Sequence, residues 1–247
     1  MIAALLLGRG GSVGFPGKNL YPVLGRPLMA YPLIAATMSV VDRIYVSTDS
    51  AEIAAVGRQY GATIIERPSE LCTKEALGED AYAHGFRRLA SGQSIEMMVL
   101  LFANAATVTG SLINEGISLL RSDPTLDSAV TVSRYNMWSP ARARKLEDGL
   151  LRPMVSMDNC GNCDRDSQGD VYFADMGLSV VRPHCLKLNG LPPQKWMGNR
   201  IAPIMSWGGC DVDYEWQIPG VEYWLREHGF KAPDPKCPDP KCPDRDS

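Results

Sequence analysis

Short apolar runs alternate with longer segments of mixed polarity through the first half of the chain. The first run, Ile2-Ala3-Ala4-Leu5-Leu6-Leu7, contains no polar residue, which is typical of a central strand in a parallel sheet. Strands that alternate with helices indicate βαβ units, so we predict an α/β fold with a mainly parallel sheet. The pattern predicts strands at 2–7, 43–47, 63–65, 97–102 and 128–132, and helices at 27–39, 51–60, 78–90 and 110–121.

This alternation breaks between residues 133 and 170. The segment is polar, carries Arg142, Arg144 and Lys145, and has turn signals such as Asp148-Gly149, so we predict an insertion that projects from the sheet. Strands at 178–181 and 201–205 and a helix at 221–228 follow.

The last 16 residues, 232–247, differ from everything before them. Pro-Asp-Pro-Lys-Cys occurs twice, and five prolines in this stretch preclude a helix or a sheet. We therefore expect a folded body at 1–231 and an extended or disordered tail at 232–247. The two tail cysteines could bind a metal or form crosslinks, or the tail could take no part in the chemistry.

Composition narrows the class of protein. The 247 residues include 25 Lys and Arg against 28 Asp and Glu, a formal net charge of −3, so no basic excess exists to neutralise nucleic-acid phosphates. No apolar stretch approaches the roughly 20 residues that span a bilayer. We expect a cytoplasmic protein that binds neither nucleic acid nor a membrane, with one large α/β domain or two small ones.

The seven cysteines are an odd number, which favours free thiols in such a protein. Cys160 and Cys163 could join Cys185 and Cys210 around zinc, since four thiolates make a closed structural site. The second pair lacks the close CxxC spacing, so free thiols are favoured here as well.

A glycine-rich loop follows the first predicted strand, at the end of the sheet where α/β proteins bind ligands. Its sequence is Gly8-Arg9-Gly10-Gly11-Ser12-Val13-Gly14-Phe15-Pro16-Gly17-Lys18-Asn19. Val13 stands at the third glycine of a dinucleotide fingerprint, and Ser12 and Asn19 depart from the Walker A pattern. The remaining interpretation is a phosphate-binding loop with the cations Arg9 and Lys18, or else a flexible surface turn.

Several segments share their order and residues with one enzyme family. They are the loop from Gly8 to Asn19, then Leu24-Gly25-Arg26-Pro27-Leu28, Asp42-Arg43-Ile44-Tyr45-Val46-Ser47-Thr48-Asp49, Glu52-Ile53-Ala54, Arg67-Pro68-Ser69-Glu70-Leu71 and Asp211-Val212-Asp213-Tyr214-Glu215. Together they resemble the acylneuraminate cytidylyltransferases (CMP-sialic acid synthetases). The resemblance implies a Rossmann-like three-layer nucleotidyltransferase fold and an enzyme that transfers CMP from CTP to the anomeric hydroxyl of an acidic sugar, with release of pyrophosphate.

The resemblance also implies roles for individual residues. The cations Arg9 and Lys18 suit the charge that develops on the transferred phosphate and the departing pyrophosphate. Asn19 and Arg67 are expected to contact cytosine or ribose, with the backbone around Ala76 completing a base pocket. The expected nucleotide contacts also include Gly8, Gly10, Gly11 and Ser12.

Asp211 and Asp213 are the candidate metal ligands. In an extended segment, their i, i+2 spacing places both carboxylates on one face. Mg²⁺ commonly takes one or two carboxylates and completes its coordination with water and substrate phosphates. The alternative is two solvated acids on an exposed strand. The proton of the attacking hydroxyl could pass to Asp211 or to a metal-bound hydroxide.

Three positions depart from the family's pattern. Val13 stands where the family often has a second lysine, Phe102 where a glutamine is expected to help bind the sugar, and Ala174 where an arginine is usual. Losing an arginine near an anionic acceptor weakens carboxylate recognition, so we expect an acceptor other than plain N-acetylneuraminate. Other nonulosonates, Kdo-type sugars and non-sugar acids such as a phosphonate stay open, as does a catalytically weak nucleotide-binding homologue.

The insertion has a counterpart in the family. There this region crosses to a partner subunit, and its basic side chains reach the neighbour's acceptor site. The resemblance therefore implies a homodimer held by the segment near 133–170. The alternative is a solvated basic loop.

Overall fold

Five α-helices and eleven strands occur in the residues that the computed structural model describes, 1–12, 14–155 and 169–231. Val13, Cys160, Cys163 and the tail at 232–247 lie outside them. The strands are β1 (Ile2–Leu7), β2 (Pro22–Val23), β3 (Arg26–Pro27), β4 (Arg43–Thr48), β5 (Thr63–Glu66), β6 (Met97–Phe102), β7 (Ser128–Arg134), β8 (Arg144–Glu147), β9 (Leu150–Pro153), β10 (Tyr172–Val181) and β11 (Ile201–Ser206). The helices are α1 (Ala30–Thr37), α2 (Ala51–Gln59), α3 (Gly78–Ala90), α4 (Gly110–Ser122) and α5 (Ile218–Glu227).

Seven strands form the central sheet, in the order β11-β7-β10-β6-β1-β4-β5. Neighbouring strands are parallel except at β10, which runs antiparallel to both β6 and β7. The predicted α/β fold with a mainly parallel sheet is therefore confirmed. The direction of β10 was not predicted, because an apolar run does not record which way a buried strand points.

Helices cover both faces of this sheet. Ala4 and Leu6 of β1 pack into a core with α1, α2 and α4, whereas Ala3 and Leu5 pack into a second core with α3 and the 183–197 segment. This three-layer arrangement explains why β1 has no polar position. Within the described residues, no helix has the length and apolar character needed to cross a bilayer.

A third apolar cluster fixes the candidate metal segment to the body of the protein. Val212 is fully buried in it against α5, together with Phe15 of the glycine-rich loop. Burial of Val212 leaves Asp211 and Asp213 on its two flanks, near the loop that follows β1.

Three elements begin three or more residues away from the predicted position. The helix expected at 27–39 is shorter, because Arg26–Pro27 pairs with Pro22–Val23 in a small hairpin. The helix expected at 221–228 begins at Ile218, where Pro219 suits the first turn. The strand expected at 178–181 extends back to Tyr172 across a β-bulge, in which Met176 has a φ of 62°.

Part of the predicted insertion is an antiparallel hairpin of β8 and β9. Leu146 and Leu151 lie opposite each other in it and are 73% and 71% exposed. The hairpin thus presents apolar side chains to its surroundings.

Candidate active site

A cleft of about 550 Å³ opens beyond the carboxyl ends of β1, β5 and β6. Leu7, Arg67 and Phe102 mark those three strand ends in its wall. Such a position is where open α/β sheets bind ligands. Of the predicted site residues, the cleft lining includes Arg9, Ser12, Lys18, Asn19, Arg67, Ala76 and Asp213, but not Gly8, Gly10, Gly11 or Asp211.

The glycine amides at the start of the loop are hydrogen-bonded within the protein. Gly8 donates its N–H to the Ser47 carbonyl at 3.2 Å, and Gly10 donates to Asp49 Oδ1 at 2.9 Å. Ser47 lies in β4 and Asp49 directly follows it, so these bonds tie the loop to the neighbouring strand. In this conformation the N–H groups of Gly8 and Gly10 are already bonded, and the loop lines the cleft with the side chains of Arg9, Lys18 and Asn19.

Arg67 is a buried guanidinium in the cleft wall, 6% exposed. Its Nε donates to Ser47 Oγ at 3.2 Å and its Nη2 to the Ser47 carbonyl at 2.5 Å, which fixes the plane of the group. Burial lowers the pKa of Arg67, while Cys72 and Asp49 oppose that shift. Nη1 makes no hydrogen bond to any described residue, so Arg67 offers a donor to a ligand.

Asn19 provides an acceptor in the same wall. It is 7% exposed, and its Nδ2 donates to the Arg9 carbonyl at 3.1 Å. Its Oδ1 has no hydrogen-bond partner in the part of the chain described here. A free donor on Arg67 and a free acceptor on Asn19 therefore line one cleft.

The two predicted phosphate cations both have partners within the protein. Arg9 Nη1 donates to the Thr73 carbonyl at 2.5 Å and so holds the loop after Cys72 against the cleft. Lys18 Nζ lies 2.7 Å from Asp213 Oδ1, and its side chain is only 14% exposed. Each cation is thus positioned before a ligand binds.

The Asp211–Asp213 segment is held from both sides. Val212 donates its N–H to the Asn104 carbonyl at 2.8 Å, and Asn104 Nδ2 donates to the Val212 carbonyl at 3.0 Å. Gln217 Oε1 accepts the N–H groups of Asp213 and Tyr214 at 2.7 and 2.8 Å. These bonds fix the backbone that carries both carboxylates.

Negative charge accumulates around this segment and suits a divalent cation. Burial raises the pKa of Asp211, and the nearby Asp213 raises it further, against the opposing effects of Lys18 and Asn104. Burial and then the carboxylates of Asp211, Asp175 and Asp213 raise the pKa of the Cys210 thiol to about 11. Lys18 offsets only part of this charge, and two carboxylates are the ligand set that Mg²⁺ commonly takes from a protein.

Three polar side chains of the cleft were not among the predicted ones: Lys74, Asn104 and Tyr214. Lys74 is an exposed cation in the loop that Arg9 holds. Asn104 follows β6, at the same sheet edge as the glycine-rich loop, and that position in an α/β pattern was the signal that could have found it.

A larger groove of about 1560 Å³ follows the outer edge of β5. It shares Arg67 with the cleft, but its lining includes no residue of the glycine-rich loop and neither Asp211 nor Asp213. We therefore assign the candidate site to the smaller cleft, where the cations of the loop meet the Asp213 carboxylate.

Cys72, Cys185 and Cys210 are free thiols, and the other four cysteines lie outside the described residues. Asp127, His184 and Cys185 group closely enough to hold a metal ion. The Asp127 carboxylate is already bonded, however, to His184 Nε2 at 2.8 Å and to the N–H groups of Asn199 and Arg200. This arrangement accounts for the group as part of the fold.

Comparison with known sequences gives matches to a family model and to curated relatives. A sequence model described as Cytidylyltransferase matches residues 3–83. The N-acylneuraminate cytidylyltransferase of Oncorhynchus mykiss is 27% identical over 218 residues, 88% of this chain and 49% of the relative. That of Escherichia coli O18:K1:H7 is 30% identical over 158 residues, 64% of this chain and 37% of the relative. The chain thus spans about half the length, or less, of these curated relatives.

Among solved structures, CMP:2-keto-3-deoxy-manno-octonic acid synthetase complexed with CTP has a TM-score of 0.67 at 15% identity, covering 92% of this chain and 99% of that one. The predicted Rossmann-like three-layer nucleotidyltransferase fold is confirmed by this likeness. The family match and the curated relatives also confirm the resemblance to the acylneuraminate cytidylyltransferases that was seen in the sequence.

Proposed function

We propose that this chain transfers CMP from CTP to a hydroxyl group of an acidic, nonulosonic acid-like sugar and releases pyrophosphate. The observation that carries the proposal is one cleft that combines a free donor on Arg67, a free acceptor on Asn19, the cations Arg9 and Lys18, and the Asp213 carboxylate. The curated relatives are cytidylyltransferases for an acidic sugar.

The base would be selected by hydrogen bonds in the wall of the cleft. Cytosine presents acceptors at N3 and O2 and a donor at its exocyclic amino group. Arg67 Nη1 matches an acceptor and Asn19 Oδ1 matches the donor. The backbone near Ala76 would close the pocket. Because Arg67 is fixed by Ser47, a base with the opposite pattern would leave a buried donor unpaired, which is costly.

Phosphoryl transfer then depends on position and charge. The sugar hydroxyl oxygen attacks the α-phosphorus in line and forms a new P–O bond, while the bond from that phosphorus to the bridging oxygen of the β-phosphate breaks. The hydroxyl proton is lost, and pyrophosphate departs with the bond electrons. Arg9 and Lys18 would bind the phosphate oxygens, one as a fork and one as a point charge.

Asp211 and Asp213 would hold Mg²⁺ beside the phosphates. When bound, Mg²⁺ supplies positive charge that offsets the charge on the phosphate oxygens. Asp211 is also our candidate acceptor for the hydroxyl proton, since burial and Asp213 raise its pKa. Gly8, Gly10, Gly11 and Ser12 remain proposed nucleotide contacts, the first two only if their present hydrogen bonds open.

The acceptor side of the cleft is apolar at Phe102. Its ring packs edge-on against Tyr82, with ring centroids 5.3 Å apart, and against Trp196 at 6.5 Å. An aromatic side chain there favours an acceptor with an apolar substituent over one that needs an amide partner. We therefore propose a modified nonulosonate or Kdo-type sugar, and keep a phosphonate-like acid as the alternative.

The exposed hairpin of β8 and β9 is the basis for a proposal on how the protein assembles. We propose that residues 1–231 form the cytidylyltransferase domain, that the insertion near 133–170 mediates a homodimer, and that 232–247 is a separate tail. The support is the pair Leu146 and Leu151, both largely exposed on β8 and β9. The cytoplasmic location expected from the sequence stays a prediction.

Pyrophosphate release tests the reaction directly. The full chain is assayed with CTP, UTP, ATP or GTP, with Mg²⁺ or EDTA, and with a panel of nonulosonic acids, Kdo-type sugars and phosphonates. We expect release only with CTP, Mg²⁺ and an acidic sugar. Turnover with a phosphonate alone would select the alternative acceptor. Saturable CTP binding without turnover on any acid would overturn the enzymatic proposal and favour a nucleotide-binding homologue.

An Arg67→Lys variant sharpens the test of base recognition. Lysine keeps the charge but cannot bind Ser47 and the base together. We expect the KM for CTP to rise by about tenfold or more, the effect of losing one good hydrogen bond to a charged group. An unchanged preference for CTP over UTP would remove Arg67 from the proposed base pocket.

A further inference from the structure

Asp175 is a buried carboxylate directly behind the candidate metal segment. It is 5% exposed, sits in the bulge of β10, and forms no salt bridge within the described ranges. Its oxygens are held by two hydroxyl groups, Thr131 Oγ1 at 2.5 Å and Ser133 Oγ at 2.6 Å, and by the Gly177 N–H at 3.1 Å. A buried charge held only by neutral donors needs an explanation.

One of those hydroxyl groups connects Asp175 to the metal segment. Ser133 Oγ donates to Asp175 Oδ2 and accepts the Gly209 N–H at 3.1 Å. The Gly209 carbonyl in turn accepts from Tyr135 at 3.0 Å. Gly209 also touches Asp175 so closely that a side chain at position 209 would collide with the carboxylate. The backbone two residues before Asp211 is thus fixed against Asp175.

We propose that Asp175 is a positioning residue for the candidate metal site. Through Ser133 it holds Gly209, and Gly209 sets where the backbone places the carboxylates of Asp211 and Asp213. This role rests on the proposed function, because its value lies in presenting those carboxylates to a metal and a triphosphate.

The carboxylate of Asp175 determines which group donates in its hydrogen bonds with Ser133 and Thr131. A hydroxyl group has one proton, and a carboxylate accepts protons but donates none. Ser133 and Thr131 therefore both point their protons at Asp175, which leaves their lone pairs to the N–H groups of Gly209 and Leu178. An asparagine at position 175 would donate its amide N–H to one of the two hydroxyl groups. The proton of that hydroxyl group would then have lost the carboxylate oxygen that accepts it.

The two hydroxyl groups provide a matched comparison. Thr131 binds the other oxygen of Asp175 but leads to Leu178 in β10, at 3.0 Å, and not to Gly209. Ser133→Ala and Thr131→Val each remove one hydrogen bond to Asp175. Only the first breaks the connection to the metal segment.

Two measurements on the full chain test the proposal. Amide hydrogen exchange is followed in the 209–213 segment, and Mn²⁺ binding without nucleotide is titrated by electron paramagnetic resonance. In Asp175→Asn and Ser133→Ala we expect exchange at 209–213 about tenfold faster and Mn²⁺ binding about tenfold weaker, the usual effect of losing a partner behind a metal ligand. In Thr131→Val both should match the wild type, with faster exchange confined to β10.

The outcomes separate this inference from the proposed function. Unchanged exchange at 209–213 in both Asp175→Asn and Ser133→Ala, or faster exchange with unchanged Mn²⁺ affinity, would overturn the positioning role. An equal effect of Thr131→Val would mean that Asp175 contributes only to the general stability of the core, and would also overturn the positioning role. If the wild type binds no Mn²⁺, the metal part of the proposed function fails, and the exchange comparison alone decides whether Asp175 anchors the segment.

Discussion

The ammonium group of Lys18 lies 2.7 Å from Asp213 Oδ1, so a proposed phosphate ligand neutralises a proposed metal ligand. If a triphosphate binds Lys18, the Asp213 carboxylate loses its partner and lies as an unpaired negative charge beside the phosphates. If a cation binds Asp213, the Lys18 ammonium group lies as an unpaired positive charge beside the cation. Only nucleotide and cation together satisfy both residues, which predicts that each strengthens the binding of the other.

Lys18→Met tests this relationship because the two ligands should respond in opposite directions. CTP binding should weaken by about 10- to 100-fold, the range for a lost hydrogen bond between charged groups. Mn²⁺ binding without nucleotide should tighten by up to about fivefold, since an ion pair whose carboxylate is exposed to solvent, as that of Asp213 is, is worth at most about 1 kcal/mol. Calorimetry for CTP and electron paramagnetic resonance for Mn²⁺ measure the two effects.

The exposed Lys187→Met is a matched control and should change neither affinity. Weaker binding of both ligands in Lys18→Met would indicate a damaged fold and contradict the coupling.

Of the four cations that line the cleft, Lys74 alone has neither an ion pair nor a hydrogen bond to a described residue. It lies in the loop that Arg9 holds, at the exposed rim. Lys74→Gln should weaken CTP binding by about fivefold, the value of one exposed charge pair, and leave CMP binding unchanged if Lys74 meets the outer phosphates. Titrations with CTP, CDP and CMP locate the effect along the chain of phosphates. An equal loss for all three would place Lys74 beside the nucleoside.

Asp211→Asn should reduce turnover and increase stability at the same time. Turnover should fall by about 100-fold or more, because metal-assisted charge stabilisation is worth several kcal/mol. In EDTA at pH 7 the variant should melt a few degrees higher, since burial and Asp213 disfavour the Asp211 charge in the folded state. Asp213→Asn should reduce turnover similarly.

The pH dependence follows from the direction of the pKa shift. The folded-state pKa of Asp211 lies above the usual 3.8, so the folded protein binds this proton more tightly than the unfolded chain. The contribution of Asp211 to stability therefore falls as pH rises from 3.8 through the folded pKa. Melting curves of wild type and variant should converge well below pH 3.8. A difference that persists there, or normal turnover in both variants, would contradict this account.

The sequence predicts the framework because burial patterns are local. Ile2 to Leu7 is apolar at every position since both faces of β1 are covered, and that alone indicates a central parallel strand. β10 was only half predicted, since Asp175 interrupts its apolar pattern at the bulge, where Met176 has a φ of 62°. Asp175 is polar at this position because it binds Thr131 and Ser133 of β7 and packs against Gly209, and these residues are distant from it in sequence.

The candidate site likewise has a part that the sequence indicates and a part that it does not. The residues of the loop and Arg67 could be proposed for the site because their family segments are contiguous. The partners of these residues could not: Gly10 binds Asp49, Lys18 binds Asp213, and Arg9 holds the loop that carries Lys74. Each of those contacts joins segments far apart in the chain, and only the folded structure brings them together.

The hairpin of β8 and β9 provides the last test, on assembly. Leu146 and Leu151 face each other across the two strands and are 73% and 71% exposed, so a charge there should disrupt a homodimer without affecting the core. We expect light scattering to give twice the 27.0 kDa chain mass for the wild type and the single mass for Leu151→Glu. Leu191→Glu, at a leucine that is 57% exposed outside the hairpin, should stay dimeric. A monomeric wild type, or a Leu151→Glu variant that still forms dimers, would remove the hairpin from the interface.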